Sequence, residues 1–183
     1  KWMADQPQGF FMVKQGIGFH SSQKDSYEDF HYGPKGKKAG YHGAMDQGQI
    51  SEHGFNYMLD CVIAMKEALG DKVSLALDCG PGWFLNDAIK FAQAVEKYNI
   101  MWLEDMLTGD YVPWVNPQAY RELTLSTSTP IHTGEQIYLR HNFKELIETQ
   151  AVRVVGPDPA DIGGIAELKW VAEHAYMHSI MMA

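Results

Sequence analysis

Only two cysteines occur in the 183 residues, Cys61 and Cys79, and neither belongs to a CxxC or Cys/His spacing. A disulfide framework and a zinc site are therefore not indicated, and a reducing cytoplasm is the expected compartment. Positive charge is also scarce, with 15 Lys plus Arg against 23 Asp plus Glu and a net charge of -8. That deficit argues against broad attachment to nucleic acid or to an anionic membrane, while leaving room for a local positive site. No apolar run reaches the roughly 18 residues of a membrane span. The opening KWMADQPQGF lacks the charged-then-apolar order of a signal peptide, so a membrane-spanning or secreted chain is not expected. What is present is 45% hydrophobic and 12% aromatic content without a low-complexity tract, enough to bury the core of one domain. The start at Lys1 and the apolar stop at SIMMA suggest a piece of a longer protein.

Short apolar runs alternate with longer amphipathic stretches, the pattern of βα units around a parallel sheet. MVKQGIG (12–18), VSLALD (73–78), IMWLED (100–105), PIHTGE (130–135), AVRVVGPD (151–158) and SIMMA (179–183) read as strands. Between them FNYMLDCVIAMKEALG, NDAIKFAQAVEKYN, PQAYRELTLST, NFKELIETQ and GIAELKWVAEHAYMHS carry apolar residues at helical spacing, with Asn86 and Asn142 as expected caps. The fold class is thus α/β, a (β/α)8 TIM-type barrel that is incomplete in this chain. An ordinary barrel of this kind has eight strands and about 250 residues. The six strand signals leave apolar sheet edges, so missing chain or a homo-oligomer is expected to cover them. Residues 1–183 read as one partial barrel domain with a long loop insertion at about 20–53, rich in Gly, His, Tyr and Lys. Its place after a strand's C-terminal end, and Tyr27, Tyr32 and Tyr41, favour a lid over a plain surface insertion.

Asp78, Glu104 and Glu135 end three successive strands at intervals of one βα unit. An acidic residue ending a strand ordinarily caps a helix or faces water. Three that converge at the active-site face of a barrel would repel strongly without a cation, and oxygen-only ligands favour Mg²⁺, with Mn²⁺ as the alternative. Strand alternation puts Ile131, Thr133 and Glu135 on one face and His132 on the other, and pairs Glu104 with Trp102. His132, His174 and His178 accordingly read as packing or surface residues on outward faces, and Trp83, Trp102 and Trp170 as core.

The segments LALDCGPGW, IMWLEDM, PIHTGEQ and GPDPADIGGIAELKWVAEHA resemble the mandelate racemase and muconate lactonizing enzyme group of the enolase superfamily, over nearly the whole chain. The resemblance implies metal-ligand roles for Asp78, Glu104 and Glu135, and an enzyme that removes the proton α to a carboxylate. It also implies that a capping domain and the last barrel strands are absent from this chain. GPDPADIGG resembles the mandelate-racemase-like branch, where Asp158 takes the place of an Asp that supports a basic His. That His falls just beyond Ala183 by the family's spacing, and the alternative for Asp158 is a strand-end cap before Gly163 and Gly164.

Two departures bear on the reaction. Lys14 matches the first lysine of the racemases' Lys-x-Lys, but Gly16 replaces the second, the usual proton-transfer residue. Lys14 then neutralises the substrate carboxylate or merely reaches solvent. Gly80 stands where some sugar-acid dehydratases place the His that protonates the departing hydroxyl. That role passes to the dyad His or to a loop residue such as His20, His31, Tyr32 or His42. The resulting expectation is a Mg²⁺-dependent lyase that dehydrates a small sugar acid to a 2-keto-3-deoxy product, with Asp158 and Lys14 as catalytic residues. The alternatives are a racemase, epimerase or cycloisomerase of the same superfamily, a non-catalytic carboxylate-binding relative, and an unrelated barrel whose Gly163-Gly164 turn binds phosphate.

Overall fold

The computed structural model describes residues 2, 5–21, 27–33, 47–107 and 115–183; Tyr41 and His42 lie outside them. Strands β1 (Met12–Gly16), β2 (Ser74–Asp78), β3 (Leu103–Glu104), β4 (Ile131–Thr133), β5 (Val154–Val155) and β6 (Met181–Met182) pair in chain order. Every pairing is parallel, and the sheet curls into a half-barrel. Parallel neighbours need a crossover between them. Here α1 (Glu52–Leu69), α2 (Leu85–Ala94), α3 (Pro117–Leu125), α4 (Arg140–Glu148) and α5 (Ile165–Met177) supply it. None of the described helices is long and apolar enough to cross a membrane.

The helix-facing side of the sheet carries the main core. Leu75, Leu77, Leu103, Ile131 and Val155 pack there with Phe55, Met58, Phe91, Leu123, Phe143, Leu146 and Val171 from the helices. Each such side chain, fully buried, contributes about 1.5–3 kcal/mol. The concave side holds a second, smaller cluster of Ala76, Trp102 and Val154, against which Met12 and Met101 pack. This division follows from alternation along each strand.

Capping differs from expectation. Helix α2 starts at Leu85 after Phe84, with no side-chain cap, and α4 starts at Arg140 after Leu139. Asn86 and Asn142 therefore lie inside their helices, where the Asn142 side-chain amide donates to the Tyr138 carbonyl at 2.6 Å. The side-chain caps are Ser51, which accepts from Gly54 N at 3.0 Å, and Asn116, which accepts from Ala119 N at 3.1 Å ahead of Pro117. Ser51 also donates to the Asp29 carbonyl at 2.5 Å. An isolated bridge joins His31 to Ile50, so this part of the stretch after β1 is tied to the start of α1.

Candidate metal centre

The sheet register makes one transverse row of Gly16, Asp78, Glu104, His132 and Val154, each the partner of the next across adjacent strands. Partners in register point to the same face. Asp78, Glu104 and His132 therefore share the concave side, and His132 is not on an outward face. It is 4% exposed, tilts against the Trp102 ring at 5.3 Å between centroids, and sets Nδ1 3.3 Å from Glu104 Oε2. The residues that point outward are Ile131, which joins the main core, and Thr133, which accepts a hydrogen bond from the Tyr120 hydroxyl of α3 at 3.1 Å. Glu135 does not follow them. The β4 ladder ends at Thr133, Gly134 adopts φ +147°, and Glu135 lines the same cavity as Glu104 and His132. Pairing Glu135 with Ile131 and Thr133 by alternation fails because alternation stops where the ladder stops.

That cavity, of about 500 Å³, is lined by Lys14, Trp102, Glu104, His132, Glu135 and Asp158 among others. Lys14 bridges two carboxylates, with Nζ 2.6 Å from Glu104 Oε1 and 3.3 Å from Asp78 Oδ2. Burial lowers its ammonium pKa, but Glu104 and Asp78 outweigh that and raise it above the ordinary lysine value. Lys14 thus places a positive charge between the two carboxylates. His20, at the end of a short 3₁₀ turn (Gly18–His20), places Nδ1 3.1 Å from Asp78 Oδ1, and more than a third of its side chain stays accessible. The Trp102 indole donates to Glu104 Oε2 at 2.8 Å. Burial pushes the Glu104 carboxyl up, but His132, Lys14 and Trp102 prevail and hold it at about 2.

Strand alternation with Trp102 selects Glu104 rather than its neighbour Asp105 as a ligand, yet Glu104, Asp105 and Glu135 each offer an oxygen within 4.8 Å of the others, a set that does not include Asp78. The Asp105 backbone is left-handed, φ +51°, which breaks strand alternation directly after Glu104 and keeps both neighbours near the centre. The Thr133 hydroxyl donates to Asp105 Oδ1 at 2.6 Å. Burial, then repulsion from Glu135, Glu104 and Asp78, pushes the Asp105 carboxyl well up against that hydrogen bond. Glu135 is pushed up by burial and by Asp78 and Glu104. An all-oxygen cluster with such repulsion, offset by only one lysine among the described residues, fits a hard divalent cation.

The remaining predicted residues sit as follows. Asp158 is exposed at the cavity rim, and its Oδ1 accepts from Ala160 N at 2.7 Å and Asp161 N at 3.4 Å, a turn-capping arrangement. His31 and Tyr32 line a different cavity with Asp29, Ser51 and His53. His174 and His178 lie on α5 and at its end, where the His174 ring stacks on Trp170.

A profile of the enolase C-terminal domain-like family matches residues 30–183. The D-xylonate dehydratase of Haloferax volcanii is 34% identical over 128 residues, 70% of this chain and 30% of that protein. The L-talarate/galactarate dehydratase of Salmonella typhimurium is 29% identical over 66% of this chain and 29% of its own length. The chain thus spans about a third of the length of these relatives, among which cycloisomerases also occur. The crystal structure of a mandelate racemase/muconate lactonizing enzyme-like protein from Rubrobacter xylanophilus superposes with a TM-score of 0.74 at 33% identity, covering 95% of this chain and 39% of that one. The six parallel strands, the inward row of carboxylates and these matches together show that the chain belongs to the enolase C-terminal domain-like family, in its mandelate racemase and muconate lactonizing enzyme group.

Proposed function

We propose that this chain carries the metal-binding half of an enolising site in a Mg²⁺-dependent sugar-acid dehydratase, with Asp78, Glu104 and Glu135 as ligands. The observation that carries the reading is that Glu104 and Glu135 line one cavity together with Lys14, whose ammonium also holds Asp78 beside Glu104. Asp105 is a fourth carboxylate close enough to join or replace Asp78. The cation, when bound, supplies positive charge at the substrate carboxylate, where negative charge accumulates as the α-proton leaves.

The chain's own residues supply the rest. Lys14, fixed as a cation between Glu104 and Asp78, neutralises the substrate carboxylate and does not take the proton. Asp158 orients the base that does, once released from its turn hydrogen bonds. The acid for the departing hydroxyl is His20. His20 occupies the space that side chains at Gly16 and Gly80 would need, with its ring at the first and its backbone at the second: a Cβ at Gly16 would fall 2.9 Å from His20 Cδ2, and one at Gly80 2.4 Å from His20 N. Both places where the resemblance led us to expect a proton-transfer residue and found glycine are thus filled from one side by His20.

A racemase or epimerase is the second reading, and it is disfavoured because Lys14 is the only lysine of the usual pair. A cycloisomerase, which also starts from an enolised carboxylate, is separated from a dehydratase by its product. The test is a panel of sugar acids with Mg²⁺, in the full-length protein. Formation of a 2-keto-3-deoxy acid, abolished by EDTA and by Glu135→Gln, is expected. Turnover that survives either would remove the carboxylate site from the reaction.

A further inference from the structure

His132 is a poor choice for a packing residue. Both ring nitrogens are buried and neither has a hydrogen bond of ordinary geometry: Nδ1 faces Glu104 Oε2 at 3.3 Å as its one close polar contact, and Nε2 has no partner. A hydrophobic side chain of similar size would fill the space without desolvating two nitrogens. The surroundings are nevertheless shaped for the imidazole. Gly156 has no positive φ, so its backbone conformation admits other residues. Space does not: a Cβ there would lie 2.2 Å from His132 Nε2 and 2.7 Å from Cε1. Trp102 covers another side of the ring and itself donates to Glu104 Oε2. Two residues, His132 on β4 and Trp102 ahead of β3, therefore converge on one oxygen of Glu104, while its other oxygen, Oε1, is held only by Lys14 at 2.6 Å among the described contacts.

We propose that His132 is a positioning residue of the metal centre: with its proton on Nδ1 it joins the Trp102 indole in holding Glu104 Oε2, and this fixes Oε1 as the oxygen offered to the cation. The inference rests on the reading of Glu104 as a metal ligand. Partners that orient a ligand from behind typically matter by 10–100-fold in metal affinity. An Asn at 132 keeps an amide donor near the place of Nδ1, whereas Phe keeps the ring and loses the donor.

The test is calorimetric titration of the protein with Mn²⁺, beside thermal unfolding in EDTA. His132→Phe is expected to weaken Mn²⁺ binding about 10–100-fold, and His132→Asn to stay within about threefold of the parent. In EDTA the Phe variant unfolds no earlier than the parent, because the orphaned nitrogens are gone. Gly156→Ala, which forces the imidazole from its seat, repeats the loss of affinity. Parent-like affinity in His132→Phe, or an Asn variant as weak as Phe, overturns the proposal. Should the Phe variant not fold, parent-like affinity in Gly156→Ala overturns it equally. If Glu104→Gln binds Mn²⁺ as the parent does, the reading of Glu104 as a ligand fails first and takes the inference with it.

Discussion

Replacing Glu135 by Gln gives opposite effects on stability and on metal binding, and the magnitudes follow from the distances. Glu104, Asp105 and Glu135 offer oxygens within 4.8 Å of one another. Two unit charges at that separation repel by about 3 kcal/mol at an effective dielectric of about 20. Lys14 and water at the cavity mouth reduce this. A net gain of about 1–2 kcal/mol is therefore expected for Glu135→Gln without cation, which for a chain of this size is a rise of roughly 2–8 °C in Tm. With saturating Mg²⁺ the order reverses. The parent gains RT ln(1 + [L]/Kd), about 2.7 kcal/mol at a hundredfold excess over Kd. The variant, lacking one ligand, gains almost nothing at the same concentration. The assay is thermal unfolding of both proteins at pH 7, in EDTA and across a Mg²⁺ series. A Gln variant that is less stable in EDTA, or that is stabilised by Mg²⁺ as much as the parent, would refute the placement of Glu135 at a cation site.

Asp105→Asn keeps the hydrogen bond from Thr133 and removes the charge. The Asp105 pKa is raised in the fold, so the folded state binds the proton more readily than the unfolded one and the ionised carboxylate destabilises the fold at pH 7. The Asn variant is thus more stable in EDTA at pH 7, and its advantage disappears on acidification through the raised pKa; urea unfolding that shows a constant advantage at every pH contradicts this. Glu104, held at about 2, has the opposite sign: its contribution is complete above about pH 4.5 and is lost as pH falls toward 2, so Glu104→Gln flattens the acid limb of the stability curve. Thr133→Val deletes the donor to the buried Asp105 carboxylate and the acceptor of the Tyr120 hydroxyl, and should cost about 2–3 kcal/mol by urea unfolding; a loss below about 0.5 kcal/mol would mean the chain of hydrogen bonds bears no weight. His20→Gln is expected to cut dehydration in the full-length protein about 10²–10⁴-fold while α-proton exchange in D₂O persists; joint loss of both would assign His20 to holding Asp78 instead.

How much of this was legible in the sequence depends on which physical question each residue answers. Strand identity and order were legible, because runs such as VSLALD and IMWLED are buried on both faces of a parallel sheet and carry a continuous apolar signal. All six strand signals contain a paired strand, although the paired part is as short as Leu103–Glu104 or Val154–Val155. Helix starts were less legible: Asn86 and Asn142 have capping chemistry, but α2 starts at Leu85 and α4 at Arg140, whose N–H and guanidinium are held by Glu167 from the neighbouring helix.

Facing was the weakest inference, and the centre shows why. Alternation predicts orientation only while a ladder persists, and the ladders around the centre end within two residues of the residues that matter. Asp105 at φ +51° and Gly134 at φ +147° each turn the chain at that boundary, which brings Asp105 and Glu135 to the side of Glu104. His132 sits one residue inside the boundary, where alternation still holds, so its inward position follows from the register with Glu104 rather than from its own segment. Register is a relation between strands, and a single sequence does not print it. One local sign of it existed: Gly156, with no conformational need to be glycine, is small because an imidazole from the neighbouring strand fills the space of its side chain. A glycine at a strand end without a turn to justify it therefore points to a large inward residue across the ladder, and at this centre that residue lies directly behind a ligand.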